Sequence, residues 1–422
     1  MAKYTHPKET LSSVKLSTFH EAALIREAET IVRETIHANE AFLQVGSRFL
    51  PSDWRFVRSR QGLDVYCQRS DSKSNIYPRK SEMVSPRSTA SFFGRTSCVA
   101  SGHSVFVTDT LPSRQKSPMV LHGTLDGSLN DCMFGSLATT EEAWRWRSSH
   151  IFEKIHDGRL LATIKGPSLE DPFRFLGLKW YTNDVPLVLS GILQRRDYLI
   201  IEATGLTRDA HGDVVGYFLS HSVTLPGVAP DLSHLGVVRD EVSTCYIFRQ
   251  RDANLVELYC RSSVPSRNRN LGRLTEGLTA DALLSAIGII DYAYIRKLTW
   301  LVKNKQMRIP ARRCQTRQHR GLFPRCTRCE VCDKSLSYFV RNVGAQCHIC
   351  RKVVCKNCRL VKKMTVDVSR KRSSKLWGMQ TCVCCLLEAK EICVKEMMLD
   401  SIEESRSVAA TLISIELCDY EL

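Results

Sequence analysis

The segment CEVCDKSLSYFVRNVGAQCHICRKVVCKNC, residues 329–358, sets the organisation of the C-terminal part of the chain. Its six cysteines form three CxxC pairs, and Cys382 and Cys385 supply a fourth pair. A gap of two residues lets both sulfurs of a pair reach one metal ion, at about 2.3 Å for zinc. Four pairs therefore predict two tetrahedral zinc sites.

The spacing between the pairs predicts how they are grouped. Only four residues separate Cys350 from Cys355, so the second and third pairs lie too close together to form a site of their own. We expect a cross-brace, in which the first and third pairs bind one zinc ion and the second and fourth pairs bind the other. Cys326 is an alternative to Cys329 in the first pair. The predicted ligands are Cys329, Cys332, Cys347, Cys350, Cys355, Cys358, Cys382 and Cys385.

Composition indicates an intracellular, cytoplasmic protein with an anionic partner. Thirteen of the 18 cysteines lie from Cys314 onward, and the N-terminal residues lack the apolar stretch of a secretory signal. The formal net charge of +16 is local, because residues 296–378 contain 23 Lys or Arg against 3 acidic residues, a net of +20. A basic end of this kind favours anionic membrane lipid or nucleic acid as its partner.

Upstream of the cysteines the pattern predicts an α+β domain. An amphipathic helix over residues 19–45 precedes a strand at 63–69 and a series of strands over 119–264, whose short connections favour an antiparallel sheet. Thr279 is the predicted N-cap of a long helix with one apolar face, which needs an apolar partner such as the sheet. A Ser-rich insertion occupies about 68–118.

Several blocks carry a resemblance to START domains, specifically those joined to a FYVE-type finger. They are GTLDGSLNDCMFG, GPSLEDPFRFLGLKW, RRDYLIIEATG and VGYFLSHSVTLPG, at 123–135, 166–180, 195–205 and 215–227. The resemblance implies a helix-grip fold, with a lipid-sized cavity between the sheet and the C-terminal helix for a hydrophobic ligand. A face of leucines and isoleucines is equally what a filled core needs, and both interpretations stay open.

The cysteine spacing is similar to that of FYVE fingers, which implies phosphatidylinositol 3-phosphate on endosomal membranes as the target. The family reads this headgroup with WxxD, R(R/K)HHCRxCG and RVC motifs, and this chain departs from all three. Around the third and fourth cysteines it reads VGAQCHICR, with His348 at the position of the family's arginine. Because glycine and alanine cannot replace arginine as phosphate ligands, we expect general attraction to anionic lipid instead.

Six residues are candidate contacts to the membrane or headgroup. Tyr338 and Phe339 lie in the loop that dips into the membrane in FYVE fingers, although Phe339 can equally be a core residue. The six are Arg341, His348, Arg351, Lys352, Tyr338 and Phe339.

Three function classes remain to be weighed. We favour a membrane-associated lipid-binding or adaptor protein that is not an enzyme, because all coordination positions of zinc are filled by cysteine. A RING-like ubiquitin ligase or a protein-interaction zinc module is the first alternative. A nuclear, nucleic-acid-associated protein is the second, which RKRSSK at 370–375 favours, although the basic residues are not interleaved with aromatic ones.

The predicted organisation has five parts. Residues 1–18 form a flexible N-terminus, 19–305 the START-like domain, 306–325 a basic linker, 326–390 the FYVE-type finger and 391–422 an acidic helical tail. The tail could pack on the finger, screen its basic face or bind a partner helix, and the sequence does not choose among these.

Overall fold

The computed structural model describes residues 13–69, 116–151, 155–183, 194–229, 232–265, 272–308, 327–336, 344–368, 373–399 and 401–402. Within these ranges the chain forms a large antiparallel sheet with helices on both faces, followed by a small cysteine-rich unit. The predicted α+β class, with an antiparallel sheet gripping a long helix near its C-terminal end, is confirmed.

Ten strands within the described ranges form the large sheet. They are β1 (Trp54–Arg60), β2 (Leu63–Gln68), β3 (Lys116–Asp126), β4 (Ile155–Lys165), β5 (Phe175–Asn183), β6 (Arg195–Arg208), β7 (Val214–Ser222), β8 (Val237–Arg239), β9 (Ser243–Asp252) and β10 (Leu255–Pro265). Their order is β1-β2-β3-β10-β9-β7-β6-β5-β4, and β8 pairs in parallel with the start of β6. The Ser-rich insertion joins β2 to β3 and lies, over residues 70–115, outside the described residues.

Helices cover both faces of the sheet. The helices of this domain are α1 (Thr18–Gln44), α2 (Leu129–Ser136), α3 (Glu141–His150), α4 (Gly272–Leu284) and α5 (Gly288–Arg308). On one face α1 buries Leu24, Val32 and Ile36 in a cluster with Trp180 of β5 and Ile201 of β6. On the other face α2, α4 and α5 contribute to a second cluster. The sheet is therefore the middle layer, and only its second face is gripped by the long helix.

The long helix starts earlier than predicted and is interrupted. Thr279 is not an N-cap but lies inside α4, which begins at Gly272. The residues before Ala280 are half-buried or exposed, so they show no apolar face that would reveal the helix in the sequence. A 3-10 turn at Ser285–Ile287 separates α4 from α5.

By length and composition, the helical stretch at Gly272–Val302 could cross a membrane. Half of its most apolar window is buried inside the protein, and Leu283, Leu284 and Ala293 belong to the main core. A core helix passes the same test, and the packing identifies this stretch as one.

The predicted flexible N-terminus is wrong for its last residues. The N–H of Val14 donates to the carbonyl of Leu161 at 2.8 Å, and Val14 and Leu16 pack against the cluster beneath α1. Residues 13–17 thus belong to the domain, because their apolar side chains extend the contact that α1 makes with the sheet.

The cysteine-rich unit lies against the end of α5. Its elements are β11 (Ala345–Gln346), β12 (Val353–Val354), β13 (Arg359–Val368), β14 (Ser373–Cys382) and α6 (Val383–Glu391), and residues 394–399 are helical. Leu298 and Leu301 of α5 are buried in the same cluster as its cysteines. Beyond α6, Val394, Met397 and Met398 enter the core of the large domain. This part of the acidic tail therefore packs mainly on the sheet domain, which the sequence did not indicate.

Candidate metal centres and cavity

Among the described residues, eight cysteines come together in two groups of four. Within each group, all four sulfur atoms lie within 4.8 Å of one another. The first group is Cys329, Cys332, Cys355 and Cys358, and the second is Cys347, Cys350, Cys382 and Cys385. The structure thus joins the first pair with the third and the second with the fourth, as the cross-brace prediction states. Cys326, the alternative ligand, lies outside the described residues.

The sulfur spacing fits a tetrahedral metal. Three sulfur–sulfur distances between pairs measure 3.7, 4.0 and 3.7 Å. A tetrahedron with metal–sulfur bonds of about 2.3 Å has edges of about 3.8 Å, so zinc fits both groups. Because each group offers four sulfurs, neither leaves a coordination position for a substrate, and the metals would be structural.

Backbone N–H groups also point at the sulfurs. The N–H of Cys355 donates to Sγ of Cys329 and the N–H of Cys382 to Sγ of Cys347, both at 3.3 Å. Hydrogen bonds of this kind favour the thiolate, which is the form that binds metal. Each link crosses from one CxxC pair to the partner pair, so it also holds the cross-brace together.

The first two CxxC turns share a strained backbone position. Asp333 and Arg351, each directly after the second cysteine of its pair, have φ of 58° and 65°. Their N–H groups donate to the carbonyls of Cys329 and Cys347, at 2.8 and 3.0 Å, which closes each turn. L-residues other than glycine adopt this left-handed region at a cost. Arg351 stands where the FYVE pattern has glycine.

The predicted lipid contacts are only partly described. Arg351 and Lys352 are exposed on the finger, whereas Arg341, Tyr338 and Phe339 lie outside the described residues. His348 is tied to β14, because its Nδ1 accepts from the N–H of Gln380 at 3.1 Å and its own N–H donates to the carbonyl of Gln380 at 2.9 Å. His348 therefore helps to hold the finger together.

Two further exposed lysines and an apolar residue lie on the surface of the finger. Lys356 and Lys363 are exposed on the finger, and Val361 between them in the chain is 58% exposed. Lys362, by contrast, lies 3.8 Å from Asp291 of α5. The described surface of the finger thus combines separate basic side chains with exposed apolar ones, which include Val361.

A cavity of about 720 Å³ lies between the sheet and the α4–α5 helices. Its sheet side includes Tyr198, Phe218 and Tyr246, and its helix side includes Leu278, Leu283 and Ile289. Charged groups also line it, including Arg58, Arg60, Arg196, Asp240 and Asp281. The volume is within the range of about 300–1,000 Å³ that small-molecule sites occupy. Of the two interpretations left open by the sequence, the one with a space beneath the helix agrees with the structure.

A buried charge network forms part of the cavity wall. Glu202, which lines the cavity, accepts from both guanidinium NH groups of Arg147 at 2.9 and 2.6 Å and from Nζ of Lys179 at 2.7 Å. The side chains of the three residues are at most 2% exposed. Burial alone would raise the pKa of Glu202, but Arg147 and Lys179 outweigh it and hold that pKa below its ordinary value. Glu202 is therefore ionised at neutral pH.

The network contains one more cation than carboxylates, and α2 compensates for the difference. Lys179 donates to the carbonyl of Ala138 at 3.0 Å, and Arg147 donates to that of Ser136. These carbonyls lie at the C-terminal end of α2, the negative end of the helix dipole. Cations at this end are stabilised, so the network is a structural part of the wall. A charged residue within an apolar run, as in LIIEATG at 199–205, was the signal that could have revealed it.

Comparisons with known proteins give matches of fold at low similarity. No family model matches the chain, and no curated protein matches it. Among 35 matching solved chains are human STARD10 (11% identity, TM-score 0.34, covering 65% of this chain and 85% of that one) and human StAR-related lipid transfer protein 5 (11%, 0.36, 65% and 97%). The Zhui aromatase/cyclase of Streptomyces sp. R1128 also matches (12%, 0.23, 42% and 95%). With identities and TM-scores this low, none of these matches assigns a function to the chain.

Proposed function

We propose that this protein is a lipid-binding, membrane-associated adaptor. Its START-like domain takes up one hydrophobic ligand of lipid size, and its cysteine-rich unit is a FYVE-type finger with two zinc ions that contacts anionic membranes. The cavity beneath α4 and α5 is the observation that carries this proposal, because a filled core would leave no such space.

The lining suits an amphiphile. Aromatic and aliphatic side chains offer an apolar surface, and about 0.8 kcal/mol is gained for each methylene that a ligand buries. The hydroxyls of Thr244 and Ser262, 2.9 Å apart, and the carboxylate of Glu202 provide polar positions in the same cavity. An elongated ligand with one polar end satisfies both kinds of surface.

The metals in this proposal hold the finger together. Four cysteine thiolates at tetrahedral spacing suit a structural zinc ion, and zinc binding supplies folding free energy to small units that have little core of their own. Because four cysteines fill the coordination positions of each metal, the finger would contact other molecules only through its surface side chains.

Those side chains favour anionic surfaces over one headgroup. Arg351, Lys352, Lys356 and Lys363 are exposed, and each basic residue near an anionic membrane contributes about 1 kcal/mol. Val361, exposed beside Lys363, would add apolar contact. Since the ring of His348 is turned to Gln380, we expect phosphatidylinositol 3-phosphate to be bound no more tightly than its charge explains.

Ligand binding is tested on the full-length chain, stripped of lipid and titrated with 11-(dansylamino)undecanoic acid. We expect saturable fluorescence enhancement with one site per chain. Ser220→Phe, which places a ring in the cavity, should weaken binding at least tenfold, whereas Ser59→Phe on the exposed side of β1 should not change it. Equal binding by both variants, or none by the stripped wild type, would contradict the proposed cavity function.

Membrane contact is tested by flotation of the zinc-loaded chain with vesicles of phosphatidylcholine alone, with phosphatidylserine, or with phosphatidylinositol 3-phosphate, over a salt series. We expect binding to both anionic vesicles that weakens with salt, because the contact is screened. Lys352→Glu with Lys363→Glu should abolish it, and Arg26→Glu with Arg33→Glu, on exposed positions of α1, should not. Salt-resistant binding to the 3-phosphate alone would indicate a specific pocket instead. Binding to no vesicle would leave the finger as a protein-interaction module.

A further inference from the structure

The helix α5 has a different neighbour at each of its ends. Ile289, in its first turn, lines the cavity together with Ser285 and Ala286 of the preceding 3-10 turn. Leu298 and Leu301, in its second half, are 0% and 3% exposed and belong to the buried cluster of the finger. At 1.5 Å per residue, the helix carries the chain about 14 Å from the cavity to the finger. One rigid element thus contacts both candidate sites.

The finger has few apolar core residues of its own, and its core includes side chains of α5. Its buried cluster consists of metal-ligating cysteines, a few aliphatic residues such as Ile349 and Val354, and the two leucines of α5. Without metal, the cysteine groups have nothing to hold them together, and the surface against which Leu298 and Leu301 pack is lost.

The chain then returns to the cavity domain. Val394, Met397 and Met398 are 3%, 5% and 7% exposed and lie in the main core, which also contains Ile289 and Ala293 of α5. Trp300 and Ile392 pack against both the main core and the finger cluster. The segment 392–398 therefore links the finger to the core that α5 helps to form.

Polar contacts reinforce this link. Lys305 of α5 pairs with Glu388 of α6, Nζ of Lys297 lies 3.4 Å from the carbonyl of Lys390, and Lys362 of β13 lies 3.8 Å from Asp291 of α5. Each contact joins α5 to an element whose position depends on the cysteine groups.

We infer that metal loading of the finger and ligand exchange in the cavity are coupled through α5. With both metals bound, the finger and residues 392–398 hold α5, and with it the turn at Ser285–Ile287, against the sheet. Loss of the metals releases the end of α5, so that α4 and α5 move away from the sheet more often and ligand in the cavity exchanges faster. The ligand part of this inference rests on the proposed cavity function, whereas the coupling to α4–α5 does not.

Amide hydrogen exchange of the full-length protein tests the coupling, with zinc present and after removal by 1,10-phenanthroline. We expect exchange over residues 275–289 to rise at least tenfold without zinc, and that over residues 24–36 of α1, on the opposite face of the sheet, to rise less than twofold. No change over 275–289 would overturn the inference. An equal rise in the exchange of α1 would also overturn the inference, because the metals would then stabilise the whole fold and not α4 and α5 in particular.

Two variants separate the coupling from loss of metal. Leu301→Ala should keep two zinc ions per chain by elemental analysis and yet show fast exchange over 275–289 in the presence of zinc. Leu387→Ala, at a 54% exposed position of α6, should exchange as the wild type does. Slow exchange in zinc-loaded Leu301→Ala would contradict transmission through α5.

The cavity is followed with 11-(dansylamino)undecanoic acid, whose dissociation should be at least threefold faster from the zinc-free protein. Coupling between binding affinities is reciprocal, so the factor by which zinc changes the affinity for the probe should equal the factor by which bound probe changes the affinity for zinc, measured by equilibrium competition with a chromophoric chelator. If the probe binds neither form, the proposed cavity function fails while the exchange result still decides the coupling. Equal dissociation from both forms would overturn the ligand part of the inference.

Discussion

The buried network of Glu202, Arg147 and Lys179 gives the most demanding test of this structure. Glu202→Gln keeps the shape of the side chain and removes its charge, which leaves two buried cations at positions where the carboxylate accepted three hydrogen bonds of 2.6 to 2.9 Å. Breaking a buried ion pair on one side costs about 3–5 kcal/mol, because the remaining charge is neither paired nor hydrated. For a domain of this size that corresponds to a fall in Tm of about 6–20 °C.

The assay is thermal and urea unfolding of the zinc-loaded chain. Glu142→Gln is the matched control, because Glu142 is 57% exposed and pairs with Arg145 on the surface at 3.4 Å, where removal should change the free energy of unfolding by less than about 0.5 kcal/mol. Adding Lys179→Met to Glu202→Gln removes one of the unpaired cations and should recover at least about 1 kcal/mol. If the free energy of unfolding of Glu202→Gln lies within about 1 kcal/mol of the wild-type value, the carboxylate does not balance the two cations and the reasoning is refuted.

The same residue gives a pH dependence. Because the pKa of Glu202 is lowered in the folded protein from its ordinary value of 4.5, its stabilisation is fully present above that pH and is lost as the pH falls through the folded-state pKa. The difference in free energy of unfolding between the wild type and Glu202→Gln should thus stay constant over about one pH unit, from pH 6 to 7. It should become smaller at pH values well below 4.5. A difference that persists unchanged in acid would show that the charge of Glu202 is not its source.

Three further predictions follow from the finger and from helix packing. Cys382→Ser should lower the zinc content from two ions to one or none by elemental analysis, whereas Cys384→Ser, an exposed thiol outside both groups, should leave it at two. Arg351→Gly should raise the stability of the zinc-loaded finger by about 0.5–1 kcal/mol in thermal melting, since it relieves a left-handed backbone, and an unchanged melt would show no strain there. Gly135→Ala would place a Cβ 2.1 Å from the carbonyl oxygen of Ile289 and should cost about 1–3 kcal/mol in urea unfolding. Gly166→Ala, with nothing within 4 Å, should cost little, and equal effects of the two would contradict the close approach of α2 to α5.

The cysteine groups could be predicted because their geometry is local. A CxxC turn fixes two sulfurs near one point, and the short gap between Cys350 and Cys355 leaves little choice in how the pairs combine. The alternation of the strands and the apolar face of α1 are equally short-range patterns. These features depend on residues that are close together in the chain, and the sequence displays them directly.

The cavity and the return of the tail could not be predicted in this way. The pattern of Val394, Met397 and Met398 indicates an apolar helical face, but its partner is set by residues far away in the chain. Whether Leu283 fills a core or lines a cavity depends on how far α4 stands from the sheet, and no local pattern encodes that distance. The break between β8 and β9 has a similar cause, since Asp240 donates its N–H to the carbonyl of Asp197 on β6.

The positions of Met397 and Met398 also affect when the core of the large domain can form during synthesis. They share a buried cluster with residues as early as Leu63, roughly 330 positions before them in the chain. During synthesis the large domain cannot complete its core until the ribosome has released the finger and the segment after it, so closure of this core is a late, long-range step. A nascent or truncated chain that ends after α5 would expose the apolar surface that these methionines cover, and such surface promotes association between chains.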